Sequence, residues 1–207
     1  MAKQTVKQRK YFPTTQPLPG VQTLLTNLKK TESLPLDKRT YSALATSSHR
    51  GNFDLKTGHL QDLFSHFDND VRVLGDDPRV PKGRGKPCPD IYFLALECIN
   101  TRIRQRNQTL SQGEEQEKEK EITPAECLVF EDSVPGVEAG RRAGMQVIWA
   151  PHPGLLKEYR GKEASVLAGK TGMSDVGGEK VGEEGDAWAR LLEDLVDFPY
   201  AEYGIKV

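Results

Sequence analysis

A chain of 207 residues has room for one ordinary domain with a sizeable core and insertions within it. Its 29 Lys and Arg stand against 30 Asp and Glu, a formal net charge of -1, so no global field recruits nucleic acid or an anionic membrane. Three cysteines, Cys88, Cys98 and Cys127, have neither CxxC spacing nor the density of a disulfide scaffold, which fits a reducing, cytoplasmic setting. No run approaches the roughly 18 apolar residues of a membrane span, and the basic start of the chain lacks the apolar centre of a secretory signal.

Val21, Leu24, Leu25 and Leu28 recur at helical spacing behind Gly20 and predict a first helix. Tyr41 to Thr46 is a short apolar run ending in Thr46-Ser47-Ser48, whose hydroxyls suit a helix N-cap or a phosphate contact. Val71 to Leu74 is a second strand candidate, closed by Gly75-Asp76-Asp77-Pro78. Behind Pro89, a good first-turn residue, Ile91, Leu94, Ala95 and Cys98 repeat the helical spacing. Leu128 to Phe130 predicts a strand, Pro135 to Ala143 a helix stopped by Gly144, and Val147 to Ala150 another strand. Strands alternating with helices predict an α/β fold with a doubly wound parallel sheet. Two polar stretches, about 107–121 and 161–185, read as solvated insertions, and Trp188, Leu191, Leu192 and Leu195 as an apolar helical stripe packing at the domain's end.

The richest chemistry lies where the strand ending in Phe130 meets Glu131 and Asp132, with a helix starting behind them. Open parallel sheets bind ligands outside the carboxyl ends of their strands, where helix N-termini offer N–H groups to anions. Carboxylates there suit a hard cation such as Mg²⁺. Lys86 suits a phosphoryl oxygen, as do the hydroxyls of Thr46 and Ser47. Each has a plainer reading: Thr46 as a helix cap, Lys86 as a solvated loop charge, and Asp132 or Ser133 as a cap favouring the helix dipole. His49, His59, His66 and His152 show no HxH or HxxxH spacing, and no Ser or Cys sits in a nucleophile elbow, which argues against a zinc site or a serine hydrolase.

Three segments, ALATSS at 43–48, GKPCPDIYFLAL at 85–96 and CLVFEDSVPGVEAGRRAGM at 127–145, resemble the second, third and fourth motifs of the haloacid dehalogenase-like phosphohydrolases. Phe53-Asp54-Leu55-Lys56-Thr57 and Leu74-Gly75-Asp76-Asp77-Pro78 narrow the resemblance toward the subgroup similar to pseudouridine 5'-phosphatase, over about Leu18 to Pro151. The resemblance implies a Rossmann-type core and hydrolysis of a small phosphorylated metabolite, a nucleoside or sugar phosphate. It implies phosphate contacts from Thr46, Ser47 and Lys86, with Lys86 also holding the nucleophile, and Mg²⁺ at Glu131 and Asp132.

In that family an earlier strand ends in DxDGT, whose first Asp attacks phosphorus and whose second serves as general acid and base, followed by a helical cap. Here the first aspartate is Asp37, and Leu18-Pro19-Gly20-Val21 resembles the return from cap to core. The expectation is a tail at 1–17 and a core at 18–207, truncated at its N-terminus, without the cap. The one DxD, Asp68-Asn69-Asp70, precedes a predicted strand instead of ending one. Three readings follow: the body of a phosphatase that is inactive alone for want of its nucleophile, a non-catalytic phosphate and Mg²⁺ binder, or an incomplete fragment. If the central strand is missing, its neighbours have to pair directly or recruit Thr5 to Thr14.

Overall fold

The computed structural model describes residues 9–110, 118–171 and 181–207. The chain divides into two compact units, Met1–Asp77 with Leu195–Val207, and Pro78–Asp194.

In the first unit, α1 (Val21–Thr31) turns Leu24 and Leu28 of its predicted stripe into the core and carries Lys29 and Lys30 in its last turn, where the dipole favours cations. The C-terminal segment returns to this helix: Leu195 N–H donates to the Pro19 carbonyl at 3.0 Å, and the Asn27 amide donates to the Tyr200 hydroxyl at 3.2 Å. β1 (Leu44–Ala45) and β2 (Arg72–Val73) pair in parallel, Leu44 opposite Arg72 and Ala45 opposite Val73. Both are shorter than the apolar runs that predict them, because Asn69–Val71 winds into a 3₁₀ turn before β2 and leaves little extended backbone to pair. Between them α2 (Arg50–Thr57) and α3 (Gln61–Phe64) bury Phe53 and Leu63, with Phe53 edge-on to Phe64 at 5.4 Å between centroids. Phe12–Thr14 is a 3₁₀ turn whose Phe12 ring lies 4.6 Å beneath the Lys56 ammonium, so this part of the Thr5–Thr14 segment supplies no strand, and Thr5–Gln8 lie outside the described residues.

The second unit is built on a parallel sheet of order β3-β4-β5, formed by β3 (Leu128–Glu131), β4 (Gln146–Trp149) and β5 (Ala189–Leu191). Leu128 to Glu131 face Gln146 to Trp149 in register, and Val147 to Trp149 face Ala189 to Leu191. α4 (Asp90–Thr109) buries Ile91, Ala95, Cys98, Ile99 and Ile103; Pro89 is its N-cap, one place before the predicted first turn. α5 (Val134–Arg142) joins β3 to β4, starts at Ser133, whose Oγ accepts the Gly136 N–H at 3.2 Å, and ends before Gly144 at φ 71°. Among the described residues the strand pairs are all parallel and alternate with helices, which makes the fold α/β as expected; these strands fall into a two-stranded and a three-stranded sheet.

Two expectations need correction. Trp188 to Leu195 is no helix: Ala189–Leu191 is β5, and the Trp188 carbonyl accepts from Val147 N–H at 3.1 Å while Leu192 N–H donates to the Trp149 carbonyl at 2.9 Å. The edge of β4 needs backbone partners, and that ladder outweighs a four-residue apolar stripe. The stretch 161–185 is not loop throughout: α6 (Pro153–Glu158) is followed by α7 (Glu163–Leu167), which buries Val166, while 172–180 lie outside the described residues.

Of the other insertion, 111–117 lie outside the described residues, and its flanks are fastened to α4. The Asn107 side chain donates to the Glu119 carbonyl at 2.8 Å and accepts the Glu119 N–H at 3.0 Å. Asn100 brackets Ile122 in the same way, at 2.9 and 2.8 Å. Arg106 pairs with Glu119 and Arg104 with Glu121, so this side of the insertion is ordered against the helix. No helix among the described residues is long and apolar enough to cross a membrane.

Candidate phosphate and metal site

Glu131 is the last residue of β3 and is 8% exposed. An ionised carboxylate taken out of water needs donors around it, and the chain supplies four. Oε1 accepts from the Lys86 ammonium and from the Tyr92 hydroxyl. Oε2 accepts from the Ser133 hydroxyl at 2.9 Å and from the Ser133 N–H at 3.3 Å. The Ser133 hydroxyl thus donates to Glu131 while accepting from Gly136, which ties the strand end to the start of α5.

Lys86 is placed by the helix that follows it. Lys86-Pro87-Cys88-Pro89 runs directly into α4, whose first turn carries Asp90 and Tyr92. The side chains of Lys86 and Glu131 are 7% and 6% exposed, so the solvated-loop reading of Lys86 does not hold. The ammonium also lies 4.8 Å from the centroid of the Tyr92 ring. Burial, then the charge and hydrogen bond of Glu131, then the charge of Asp132, push the Tyr92 phenol well above its ordinary range. It is a protonated donor at every physiological pH.

Gly136 completes the enclosure. A Cβ at this position would overlap the Glu131 carboxylate, so the carboxylate rests on the bare backbone of the helix's first turn. Asp132, the first residue beyond β3, is exposed.

Thr46 and Ser47 belong to the first unit, at the carboxyl end of β1. Thr46 N–H donates to the Val73 carbonyl at 3.0 Å and its Oγ1 accepts the Ser48 N–H at 3.2 Å, a hydroxyl turn in place of the helix cap that was the plainer alternative. Ser47 is exposed. Ser48 accepts the Lys56 ammonium on its hydroxyl at 3.0 Å and the Gly75 N–H on its carbonyl at 3.0 Å. The N-cap of α2 is His49, without a side-chain bond, and the Asp76 carboxylate takes the Arg50 N–H at 3.0 Å on each oxygen. Asp76 therefore caps this helix from a distant part of the chain.

The structure brings Lys86 and Glu131 together and sets Asp132 beside them. Asp68-Asn69-Asp70 precedes β2 instead of ending it, as the sequence predicts. For a metal, no three His, Cys, Asp or Glu side chains converge among the described residues. Both Glu131 oxygens face protein donors, and Asp132 is exposed; a cation there would keep several waters and take one or two carboxylates. Tyr92, Ser133 and Gly136 lie within the quoted motif segments, but of the three only Ser133, as a helix cap, has a role legible in the sequence.

A family model for haloacid dehalogenase-like hydrolases matches residues 3–144, more than half of the chain. The chain belongs to this family. It is 40% identical over 153 residues to a probable pseudouridine-5'-phosphatase of Saccharomyces cerevisiae, an overlap of 74% of this chain and 54% of that one. To a probable pseudouridine-5'-phosphatase of Drosophila melanogaster it is 34% identical over 153 residues, again 74% and 54% of the two chains. To the mitochondrial (DL)-glycerol-3-phosphatase 1 of Arabidopsis thaliana it is 34% identical over 157 residues, 76% of this chain and 43% of that one. The chain spans about half the length of the curated relatives it matches.

Proposed function

We propose that this chain is the phosphate-handling core of a hydrolase acting on a small phosphomonoester, of the size of a nucleoside or sugar phosphate. The buried Lys86–Glu131 pair at the carboxyl end of β3 carries the reading. An ammonium held there serves a phosphoryl oxygen, because it has several donors and Glu131 orients it. Within the same unit, Asp132 would hold Mg²⁺, which when bound neutralises phosphate charge. The names of the relatives, phosphatases of pseudouridine 5'-phosphate and glycerol 3-phosphate, support a small phosphorylated metabolite as the ligand.

Residues 1–207 on their own do not turn such a substrate over in this reading. In haloacid dehalogenase-like phosphatases the first Asp of a strand-ending DxDGT takes the phosphoryl group, whereas the sequence's one DxD precedes β2. That same observation favours a second reading, a non-catalytic binder of phosphate and Mg²⁺. The test is phosphate release from p-nitrophenyl phosphate, glycerol 3-phosphate and pseudouridine 5'-phosphate with Mg²⁺, alongside calorimetric binding of inorganic phosphate. The expected result is no release, and phosphate binding that weakens in Lys86→Ala and Asp132→Asn. Turnover by residues 1–207 overturns the inactivity, and phosphate binding indifferent to both substitutions overturns the site.

A further inference from the structure

We propose that Tyr92 is a positioning residue that fixes the Lys86 ammonium against Glu131, and that a phosphate ligand meets a lysine held in place by this tyrosine. The inference rests on the reading of Lys86 as a phosphate contact for its functional meaning, and on geometry alone for the positioning itself.

Tyr92 touches both members of the pair. Its hydroxyl donates to Glu131 Oε1, the oxygen that also receives Lys86, and its ring face lies 4.8 Å from the Lys86 nitrogen. A single side chain therefore sets the position of the carboxylate and gives the ammonium an electron-rich surface to rest on. Ser133 serves Glu131 differently. Its hydroxyl and N–H both donate to Oε2, on the other side of the carboxylate.

The asymmetry matters because a lysine stem has four rotatable carbons and a compact charge that follows its best partner. Glu131 by itself defines one point for the ammonium. The Tyr92 ring excludes one side of that point, and its hydroxyl prevents the carboxylate from rotating toward Lys86 as the ammonium shifts. The tyrosine is 6% exposed, and it is placed by the first turn of α4, so its own position is decided by core packing. Without the hydroxyl, the stem has more room at the same net charge.

Tyr92→Phe keeps the ring and the packing and removes only the hydroxyl. The readout is acylation of Lys86 in the folded 207-residue chain by N-hydroxysuccinimidyl acetate at fixed pH, quantified by mass spectrometry of the Lys86 peptide, with exposed Lys157 as the internal control. Lys86 labelling is expected to rise about tenfold in Tyr92→Phe, the scale of one hydrogen bond to a charged group, while Lys157 is unchanged. Ser133→Ala, which also takes a donor from Glu131, is expected to raise it far less. Inorganic phosphate affinity, measured on the same proteins, should fall about tenfold in Tyr92→Phe and further in Lys86→Ala.

Unchanged Lys86 labelling in Tyr92→Phe overturns the positioning role. Equal acceleration in Tyr92→Phe and Ser133→Ala also overturns it, assigning the effect to a loosened carboxylate in general. Faster labelling specific to Tyr92→Phe, with phosphate affinity indifferent to Lys86→Ala, keeps the positioning role and removes the phosphate contact from Lys86.

Discussion

Gly136→Ala tests how the Glu131 carboxylate is seated. In an open helix this exchange gains up to about 1 kcal/mol of helix propensity. Here the added Cβ would clash with the Glu131 carboxylate carbon and both of its oxygens, so the carboxylate has to swing off the helix. It would leave its contacts with Lys86, Tyr92 and Ser133. Hydrogen bonds to a charged group contribute about 1.5–3 kcal/mol each, and four sharing one carboxylate do not add. Separating a buried charge from its partner costs about 3–5 kcal/mol, so after the propensity gain the net loss is about 3 kcal/mol, a large share of a total stability of about 5–15 kcal/mol. Urea unfolding followed by circular dichroism should show the midpoint falling by about 1 M or more. In a Glu131→Ala background the same glycine substitution has nothing to collide with and should be neutral or mildly stabilising. A wild-type midpoint for Gly136→Ala, or an equal loss in both backgrounds, refutes the reasoning.

Asp76→Ala removes the carboxylate that takes the first N–H of α2 and should cost about 1 kcal/mol in urea unfolding; an unchanged midpoint means the cap contributes nothing. Burial, and then the neighbouring Glu126 charge, push the Cys127 thiol up to about 11, so at pH 8 it should be alkylated by iodoacetamide about 100-fold more slowly than an ordinary free cysteine, and an ordinary rate contradicts this. Burial alone would raise Asp186, but the N–H groups of Trp188 and Glu183 and the Arg141 guanidinium outweigh it and hold the carboxylate below its usual range. A depressed carboxylate stabilises the fold above its unfolded pKa and loses that contribution as pH falls, so Asp186→Asn should be less stable than wild type at pH 7 and the gap should shrink below about pH 4. A gap that is constant from pH 7 to pH 3.5 rules that linkage out.

Where local chemistry decides the outcome, the sequence is a good guide. Leu24 and Leu28 face the core because helical spacing leaves them no alternative, Ser133 caps α5, and Gly144 ends it. Where distant backbone decides, it is not. The stripe at Trp188, Leu191, Leu192 and Leu195 has helical spacing, yet the pairing needs of β4, some forty positions earlier in the chain, draw it into a strand. The motif residues Lys86, Glu131 and Asp132 are legible by type and spacing, but the burial of Lys86 is not, because the carboxylate that receives it is remote in sequence. Tyr92 lies outside the predicted stripe of Ile91, Leu94, Ala95 and Cys98, and the sequence gives no sign that its hydroxyl ends on Glu131.

Asn107 and Asn100 give the segment entering β3 something a helix surface does not normally offer, a pair of amide edges that imitate a neighbouring strand. Each side-chain amide presents a donor and an acceptor at the spacing of a peptide group, so Glu119 and Ile122 find their backbone partners on α4. The path toward Glu131 is thereby fixed from Glu119 onward, upstream of the strand itself. Additions or deletions between Leu110 and Lys118 meet this double clasp before they reach β3, which insulates the carboxylate that holds Lys86 from the length of the acidic insertion.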